Sequence, residues 1–179
     1  MKLLYILSSF ISLFQAWNID DYLTDCWGNK CRDDEGFLQR MPFDPLDVNK
    51  FVLLGFKTLE NRLIVSGPVI PYGEDNFCML YVDEEQTFRN CKQIRVFNQN
   101  SFDKGNCIFS QNIEEPGLKL ELRNGRVPIQ YFGDDYIYYG YFDTVTNFAY
   151  FPNPLTFEGH IVPLVDIERY LYYLHCRND

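Results

Sequence analysis

Six cysteines set the strongest limit on the fold of this chain. They are spread over most of its length, at Cys26, Cys31, Cys78, Cys91, Cys107 and Cys176. An even number of cysteines in a short chain is typical of secreted proteins, because an oxidising compartment converts thiols into disulfides. A zinc site is the alternative, but the sequence has no C-x-x-C pair and only two histidines. We therefore predict three disulfides, no metal site and no cofactor.

The spacing of the cysteines suggests how they pair. The first two bracket a turn-like tetrapeptide that can close a small loop. Cys78 and Cys91 flank residues 82–87 symmetrically, which would place them face to face across a hairpin. Cys107 and Cys176 then remain, and their bond would tie the C-terminal element to the rest of the domain. Other connectivities stay open, because spacing alone does not determine pairing.

Residues 1–16 have the composition of a secretory signal peptide. Lys2 is followed by an apolar run from Leu3 to Phe14 and then by the small residue Ala16. This run is shorter than the roughly 20 residues that a membrane-spanning helix needs. We therefore predict a secreted, extracellular protein without membrane insertion, in which residues 17–179 form a single globular domain.

Between residues 51 and 151 the apolar residues fall in short runs of high β-propensity. These runs are bounded by turn residues and predict strands at 51–57, 62–69, 77–82, 92–97 and 106–109. The density of short strands indicates an antiparallel sheet or sandwich.

Two hairpins follow in the second half of the chain. Residues 118–131 alternate apolar and polar side chains around Asn124-Gly125, which is the strongest short hairpin signal. Pro128 cannot donate to a strand ladder, so we predict a four-residue loop at 123–126 and a strand near a sheet edge. A second hairpin is predicted at 136–151.

The last element has the spacing of a helix. Leu164, Ile167, Leu171 and Leu174 recur at intervals of three and four residues, after a proline suited to a first helical position. The fold class that we expect is therefore mostly β (α+β), with one C-terminal helix docked on the sheet.

Aromatic residues are concentrated in the second hairpin, where ten of the 21 residues from 131 to 151 are Phe or Tyr. They can fill a core, because aromatic residues pack well between strands. Both faces of the strand are aromatic, however, so one face can instead meet a partner, and tyrosine is enriched at interfaces. The candidate binding residues are Trp27, Tyr136, Tyr138, Tyr139 and Tyr141.

The charge of the chain limits its partners. The formal net charge is −9 at pH 7. An acidic protein is not attracted to nucleic acid or to anionic membrane surfaces. An extracellular protein or glycan is the partner that we expect.

Catalytic signals are sparse. Glu158 and His160 stand two residues apart, so in an extended strand both side chains project from the same face. Such a pair can act as base and acid in phosphodiester cleavage, and Arg95, Arg123 or Arg126 would stabilise the phosphate charge. This pattern supports a secreted, ribonuclease-like hydrolase as an alternative function.

The general profile is a small, acidic, cysteine-bridged chain rich in Tyr and Phe. It resembles that of effectors and immune-modulating proteins of pathogens and parasites, a similarity of profile that covers no motif. The sequence thus favours a non-enzymatic secreted binding protein that recognises its partner through an aromatic face. A structural coat component is a third possibility, and the oligomeric state stays open.

Overall fold

The computed structural model describes residues 23–26, 38–47, 50–58, 64–72, 75–82, 85–90, 94–98, 102, 105–120, 125–153, 156 and 158–177. The strands in this part of the chain are β1 (Leu23–Cys26), β2 (Arg40–Pro42), β3 (Phe51–Thr58), β4 (Ile64–Tyr72), β5 (Asp75–Val82), β6 (Glu85–Asn90), β7 (Ile94–Phe97), β8 (Cys107–Ser110), β9 (Lys119–Leu120), β10 (Arg126–Phe132), β11 (Ile137–Asp143), β12 (Phe148–Pro152), β13 (Gly159–Pro163) and β14 (Leu171–Cys176). A short helix, α1 (Leu164–Ile167), and a 3-10 turn (Glu168–Tyr170) lie between the last two strands.

The described strands form two antiparallel sheets of seven strands each. In the first sheet the order is β1-β7-β3-β4-β5-β6, with β2 paired to β3. In the second sheet the order is β13-β12-β11-β10-β14-β8, with β9 paired to β14. The mostly β fold with a short C-terminal helix is therefore confirmed. Strands β3, β4, β5, β7 and β8 also confirm the predicted positions of the five short strands.

Two clusters of buried side chains lie on the two faces of the second sheet. The inter-sheet core joins both sheets and contains Met41, Phe43, Val52, Leu54, Phe56, Phe97, Cys107, Ile137, Tyr139, Leu174 and Cys176. The outer core lies on the other face of the second sheet, where α1 covers part of it, and contains Val127, Ile129, Phe142, Ala149, Phe151, Ile167, Leu171 and Tyr173. Both faces of the second sheet are thus partly buried.

The hairpin predicted at 118–131 is wrong. Strand β9 pairs with β14 at His175 and Cys176, whereas β10 pairs with β14 from residue 171 to residue 173. Since β8 occupies the other edge of β14, β9 and β10 lie end to end along one edge instead of side by side. Pairing with the C-terminal strand therefore overrides the local turn signal of Asn124-Gly125.

Pro128 lies in an interior strand, not near the predicted sheet edge. It is buried and pairs with Tyr141 of β11. The Gly125 carbonyl accepts from the Thr144 N–H of the β11 turn (2.8 Å), so even-numbered residues of β10 direct their backbone groups toward β14. The pairing of β10 with β14 starts only at Ile129. The missing N–H of Pro128 therefore falls outside that ladder, which explains why the proline is tolerated.

The predicted helix ends sooner than its spacing suggested. Leu171 and Leu174 belong to β14, a strand in the interior of the second sheet. Residues three positions apart on a strand face opposite sides. Leu171 packs in the outer core and Leu174 in the inter-sheet core. A strand that is buried on both faces has the same apolar density as a helix, so periodicity alone misassigned it.

A buried hydrogen bond joins the two sheets at Ser66 and Gly140. The Ser66 hydroxyl donates to the Gly140 carbonyl oxygen at 2.6 Å, which links β4 to β11. A Cβ atom on Gly140 would overlap the carbonyl oxygen of Tyr150 and the backbone of Phe151. The close approach of β12 to β11 therefore requires glycine at this position.

The turn between β11 and β12 confirms the predicted second hairpin and is held by Asp143. The Asp143 carboxylate accepts from the Val145 N–H (2.9 Å), the Thr146 N–H (3.1 Å) and Arg126 Nε (3.2 Å). Burial acts to raise the pKa of Asp143, but these hydrogen bonds and the charge of Arg126 hold it below its ordinary value. Asp143 thus stabilises the turn as a carboxylate.

One predicted disulfide is confirmed, between Cys107 and Cys176. The two residues are directly opposed in the pairing of β8 with β14, so the bond ties the C-terminal strand to the sheet. Cys31 and Cys91 lie outside the described residues, as do the side chains of Cys26 and Cys78. The hairpin of β5 and β6 pairs Cys78 with Arg89, and the predicted bond between Cys78 and Cys91 stays a prediction.

Candidate functional site

The alternation of β11 separates the predicted binding tyrosines into two sets. Tyr139 and Tyr141 share the face that meets the first sheet, and each is only 1% exposed. The Tyr139 hydroxyl donates to the Pro42 carbonyl oxygen (2.7 Å) and accepts from Gln130 Nε2 (2.9 Å). Burial raises the pKa of Tyr139 far above its ordinary value. Tyr139 is therefore a core residue, and its predicted presentation to a partner is wrong.

Tyr141 is buried by its own set of contacts. Its ring stacks on Tyr150 with a centroid separation of 5.0 Å. The Arg126 guanidinium lies over the Tyr141 ring, with its Cζ atom 4.6 Å from the ring centroid, which is the geometry of a cation–π contact. Tyr141 is thus also structural, and its predicted role as a binding residue is wrong, because that role needs a solvent-exposed ring.

Tyr138 belongs to a group of rings on the opposite face of the second sheet, and Tyr136 joins this group from the turn before β11, where it also packs against the inter-sheet core. We name this group the aromatic patch, and its members are Tyr131, Tyr136, Tyr138, Phe151, His160 and Tyr170. Phe151 is buried and forms its base, with ring centroids 5.0 Å from Tyr131, 5.3 Å from Tyr138 and 5.6 Å from His160. Strands β10 to β13 thus supply a continuous set of rings.

The remaining contacts of the aromatic patch extend it to the surface. Tyr138 lies 5.6 Å from His160, 5.8 Å from Tyr131 and 6.3 Å from Tyr136. Tyr131 lies 6.5 Å from Tyr170, whose side chain is 48% exposed. The other tyrosines and His160 are half-buried. Each of these rings is therefore supported on one side by neighbours and partly open to solvent on another, above the buried ring of Phe151.

The rim of the aromatic patch is acidic. Asp134 and Asp135 are exposed in the turn between β10 and β11. Burial raises the pKa of Tyr131, and the carboxylate of Asp134 raises it further. Burial likewise raises the pKa of Tyr138, and the carboxylate of Asp135 raises it further. Both tyrosines therefore stay neutral hydrogen-bonding groups beside two negative charges.

The acid–base pair proposed from the sequence is not assembled. His160 stacks on Phe151, and its buried Nε2 atom has no hydrogen-bond partner among the residues that the structure describes. Glu158 is exposed, and neither a hydrogen bond nor an ion pair joins it to His160. Arg126 is the first residue of β10 and forms an ion pair with Asp143.

The other two arginines considered for phosphate binding add nothing to this pair. Arg95 lies in the first sheet, on β7, and Arg123 lies outside the described residues. In the described residues, no group of three or more His, Cys, Asp or Glu side chains is placed to hold a metal ion. In that same part of the chain, no helix has the length and apolarity needed to cross a membrane.

Sequence reasoning identified Tyr136 and Tyr138 and missed most of the aromatic patch. Tyr131 belongs to the alternating segment 118–131, but the hairpin predicted there was wrong and gave it the wrong neighbouring strand. Tyr170 was assigned to a helix, and His160 was considered only as a catalytic residue. Trp27, the fifth candidate, lies outside the described residues.

Comparisons with known proteins give a likeness of fold alone. No protein-family model matches the sequence, and no curated protein matches it either. Among solved structures the chain is similar to the nematode sperm cell motility protein MFP2B, with a TM-score of 0.59 and 11% sequence identity. The match covers 88% of this chain and 46% of that protein, so this chain spans about half of its length. The likeness concerns the β-rich architecture.

Proposed function

We propose that this chain is a secreted, non-enzymatic binding protein that recognises an extracellular protein through the aromatic patch. The observation that carries the proposal is the continuous set of half-exposed rings on a rigid sheet, bordered by two carboxylates. The predicted signal peptide supports secretion, and the Cys107–Cys176 bond is typical of an oxidising compartment.

The rings of the aromatic patch are suited to binding because they are already ordered. A tyrosine offers a large apolar area and a hydroxyl group while losing little conformational entropy on binding. Packing on Phe151 further restricts Tyr131 and Tyr138 before a partner arrives. Less entropy is then lost on association, so a modest contact area can bind usefully.

Charge favours a basic protein segment over a neutral glycan. Asp134 and Asp135 border the rings, and the chain as a whole carries a net charge of −9. An arginine guanidinium can stack on a tyrosine face while it pairs with a carboxylate. The long-range field of an acidic protein also increases the association rate of a basic partner.

A binding assay with defined peptides tests this proposal. The probe is an acetylated and amidated octapeptide of alternating arginine and threonine, and the charge-reversed control is its glutamate–threonine counterpart. We expect binding of the arginine peptide, measured by isothermal titration calorimetry, to weaken about fivefold in Tyr170→Ala, the loss of one exposed cation–π contact. The double variant Asp134→Asn/Asp135→Asn should weaken it by a similar factor.

Ile113→Ala is the matched control, because Ile113 is 64% exposed and lies outside the aromatic patch. It should bind the arginine peptide as the wild type does. Equal affinity for the arginine and glutamate peptides would contradict the proposal, and so would a loss of binding in Ile113→Ala as large as that in Tyr170→Ala.

A further inference from the structure

We propose that the open edge of β13 receives an extended, basic segment of the partner protein as an added antiparallel strand. This inference rests on the proposed function, because the added strand would lie beside the aromatic patch. It goes further by stating how the backbone of the partner is held. In this mode of recognition, main-chain hydrogen bonds provide affinity and alternate side chains provide specificity.

The hydrogen bonds at the two ends of β13 show which backbone groups are already used. The Leu164 N–H donates to the Asn147 carbonyl oxygen at 3.0 Å, and the Asn153 N–H donates to the Glu158 carbonyl oxygen at 2.7 Å. Residues 158 and 164 therefore direct their backbone groups toward β12. Because directions alternate along an antiparallel strand, the odd-numbered residues of β13 direct theirs away from it.

The outward-facing groups form a short docking edge. Gly159 and Ile161 each offer one N–H and one carbonyl oxygen, whereas Pro163 offers only a carbonyl oxygen. In the described part of the chain no strand pairs with this edge of β13. An added strand would thus be held over residues 159–163, and Pro163 would limit its extension.

This edge lacks the charged side chains that protect many edge strands against pairing. Edge strands commonly carry charged side chains that prevent the addition of another strand. The five residues of β13 include no Lys, Arg, Asp or Glu, and Ile161 is 44% exposed. An edge without Lys, Arg, Asp or Glu, and without a paired strand among the described residues, is the surface that strand addition requires.

The aromatic patch begins at the side chain of His160, on the same strand. A residue of the added strand opposite His160 would lie on the same face, with its Cβ atom about 5 Å from that of His160. The His160 ring is in turn 5.6 Å from Tyr138. A long cationic side chain at this position of the partner would therefore extend over the tyrosines.

Acidic residues flank both ends of β13 and indicate which kind of segment binds at its edge. Glu158 precedes β13, and Asp166 and Glu168 follow it, and all three are exposed. Arg169, also exposed, is the basic residue next to Glu168. A second copy of this chain would bring the same acids and another net charge of −9 to the edge. Charge complementarity therefore favours a basic segment of another protein over self-association.

N-methylation of the probe peptide tests this geometry directly. If the arginines face the aromatic patch, the threonine N–H groups point toward β13 and the arginine N–H groups point away. N-methylation at the central threonine therefore removes a hydrogen bond to Ile161, whereas N-methylation at the adjacent arginine does not. The two peptides have the same mass, charge and side chains, so they form a matched pair.

We expect the threonine-methylated peptide to bind at least tenfold more weakly than the arginine-methylated one. On saturation with the unmethylated peptide, amide hydrogen exchange measured by NMR should slow at Ile161. Exchange at His160 and Val162, whose N–H groups face β12, should not change. Ile161→Pro should weaken binding by a similar factor, whereas Ile161→Thr keeps the N–H and should bind normally.

The outcomes separate this inference from the proposed function. If both methylated peptides bind equally while Tyr170→Ala weakens binding, strand addition is refuted and recognition by the aromatic patch stands. If the unmethylated arginine peptide binds no better than its glutamate counterpart, both proposals fail. A dimer in light scattering that Ile161→Pro converts to monomer would show that a second copy occupies the edge.

Discussion

Replacing Tyr139 with phenylalanine removes one oxygen atom from the inter-sheet core and leaves two polar groups without their partner. The Tyr139 hydroxyl donates to the Pro42 carbonyl oxygen at 2.7 Å and accepts from Gln130 Nε2 at 2.9 Å. The phenylalanine ring fills the same space, so the packing of the core changes little. The expected effect is therefore the loss of two hydrogen bonds from a site that is almost closed to solvent.

The magnitude follows from the two hydrogen bonds that are lost. A typical intramolecular hydrogen bond contributes about 0.5–1.5 kcal/mol net to the free energy of unfolding. Gln130 is half-buried and Pro42 is exposed, so water can replace part of what each group loses. We therefore expect Tyr139→Phe to lower the free energy of unfolding by about 2 kcal/mol.

The adjacent residue offers a matched control. Tyr138 is half-buried on the opposite face of β11, and within the described residues its hydroxyl makes no hydrogen bond. Tyr138→Phe should change the free energy of unfolding by less than about 0.5 kcal/mol. Urea denaturation of both variants, followed by far-UV circular dichroism, measures the difference. A larger loss in Tyr138→Phe than in Tyr139→Phe would refute the assignment of the two faces.

Three further changes test the fold. Gly140→Ala should destabilise the protein by at least about 3 kcal/mol in urea denaturation, because its Cβ overlaps backbone atoms. The control is Gly117→Ala, which lies in open space at positive φ and should lower the free energy of unfolding by only about 1 kcal/mol. Because the pKa of Asp143 is lowered by folding, its stabilisation is present above pH of about 4 and is lost as pH falls through the folded pKa. Asp143→Asn should therefore flatten the decline of Tm between pH 5 and pH 2, and an unchanged decline would contradict this assignment. The double variant Cys107→Ala/Cys176→Ala opens a link across 69 residues and should lower the free energy of unfolding by about 4 kcal/mol in urea denaturation, whereas no loss would show that the bond is dispensable.

Strands with local signals could be predicted from the sequence. The hairpin at 136–151 was correct because its turn chemistry is local, and the carboxylate of Asp143 binds the N–H groups of Val145 and Thr146. Strands β3 and β5 were found because their apolar runs end at turn residues.

Elements that depend on distant partners could not be predicted in this way. Strand β14 is buried on both faces, and its leucines have the same spacing as those of a helix. The Asn124-Gly125 signal was overridden because β14 pairs with both β9 and β10. The sequence contains both patterns, but it does not show which long-range pairing is more stable.

The same limit applies to the candidate site. Alternation showed that both faces of β11 are aromatic, but it did not show which face meets the first sheet. That choice depends on contacts such as the one between Tyr139 and Pro42, which are 97 residues apart. The aromatic patch also needs His160 and Tyr170, which only the topology of the second sheet brings near Tyr138.

Hydroxyl-radical footprinting of the tyrosines, with and without the arginine–threonine peptide, tests the central claim most directly. In the free protein we expect oxidation at Tyr136, Tyr138 and Tyr170 and protection at Tyr139 and Tyr141. Saturating peptide should protect the first three residues and leave the last two unchanged. Oxidation of Tyr139 or Tyr141 in the free, folded protein, or no change in the aromatic patch on saturation, would contradict the claim that this patch is the binding surface.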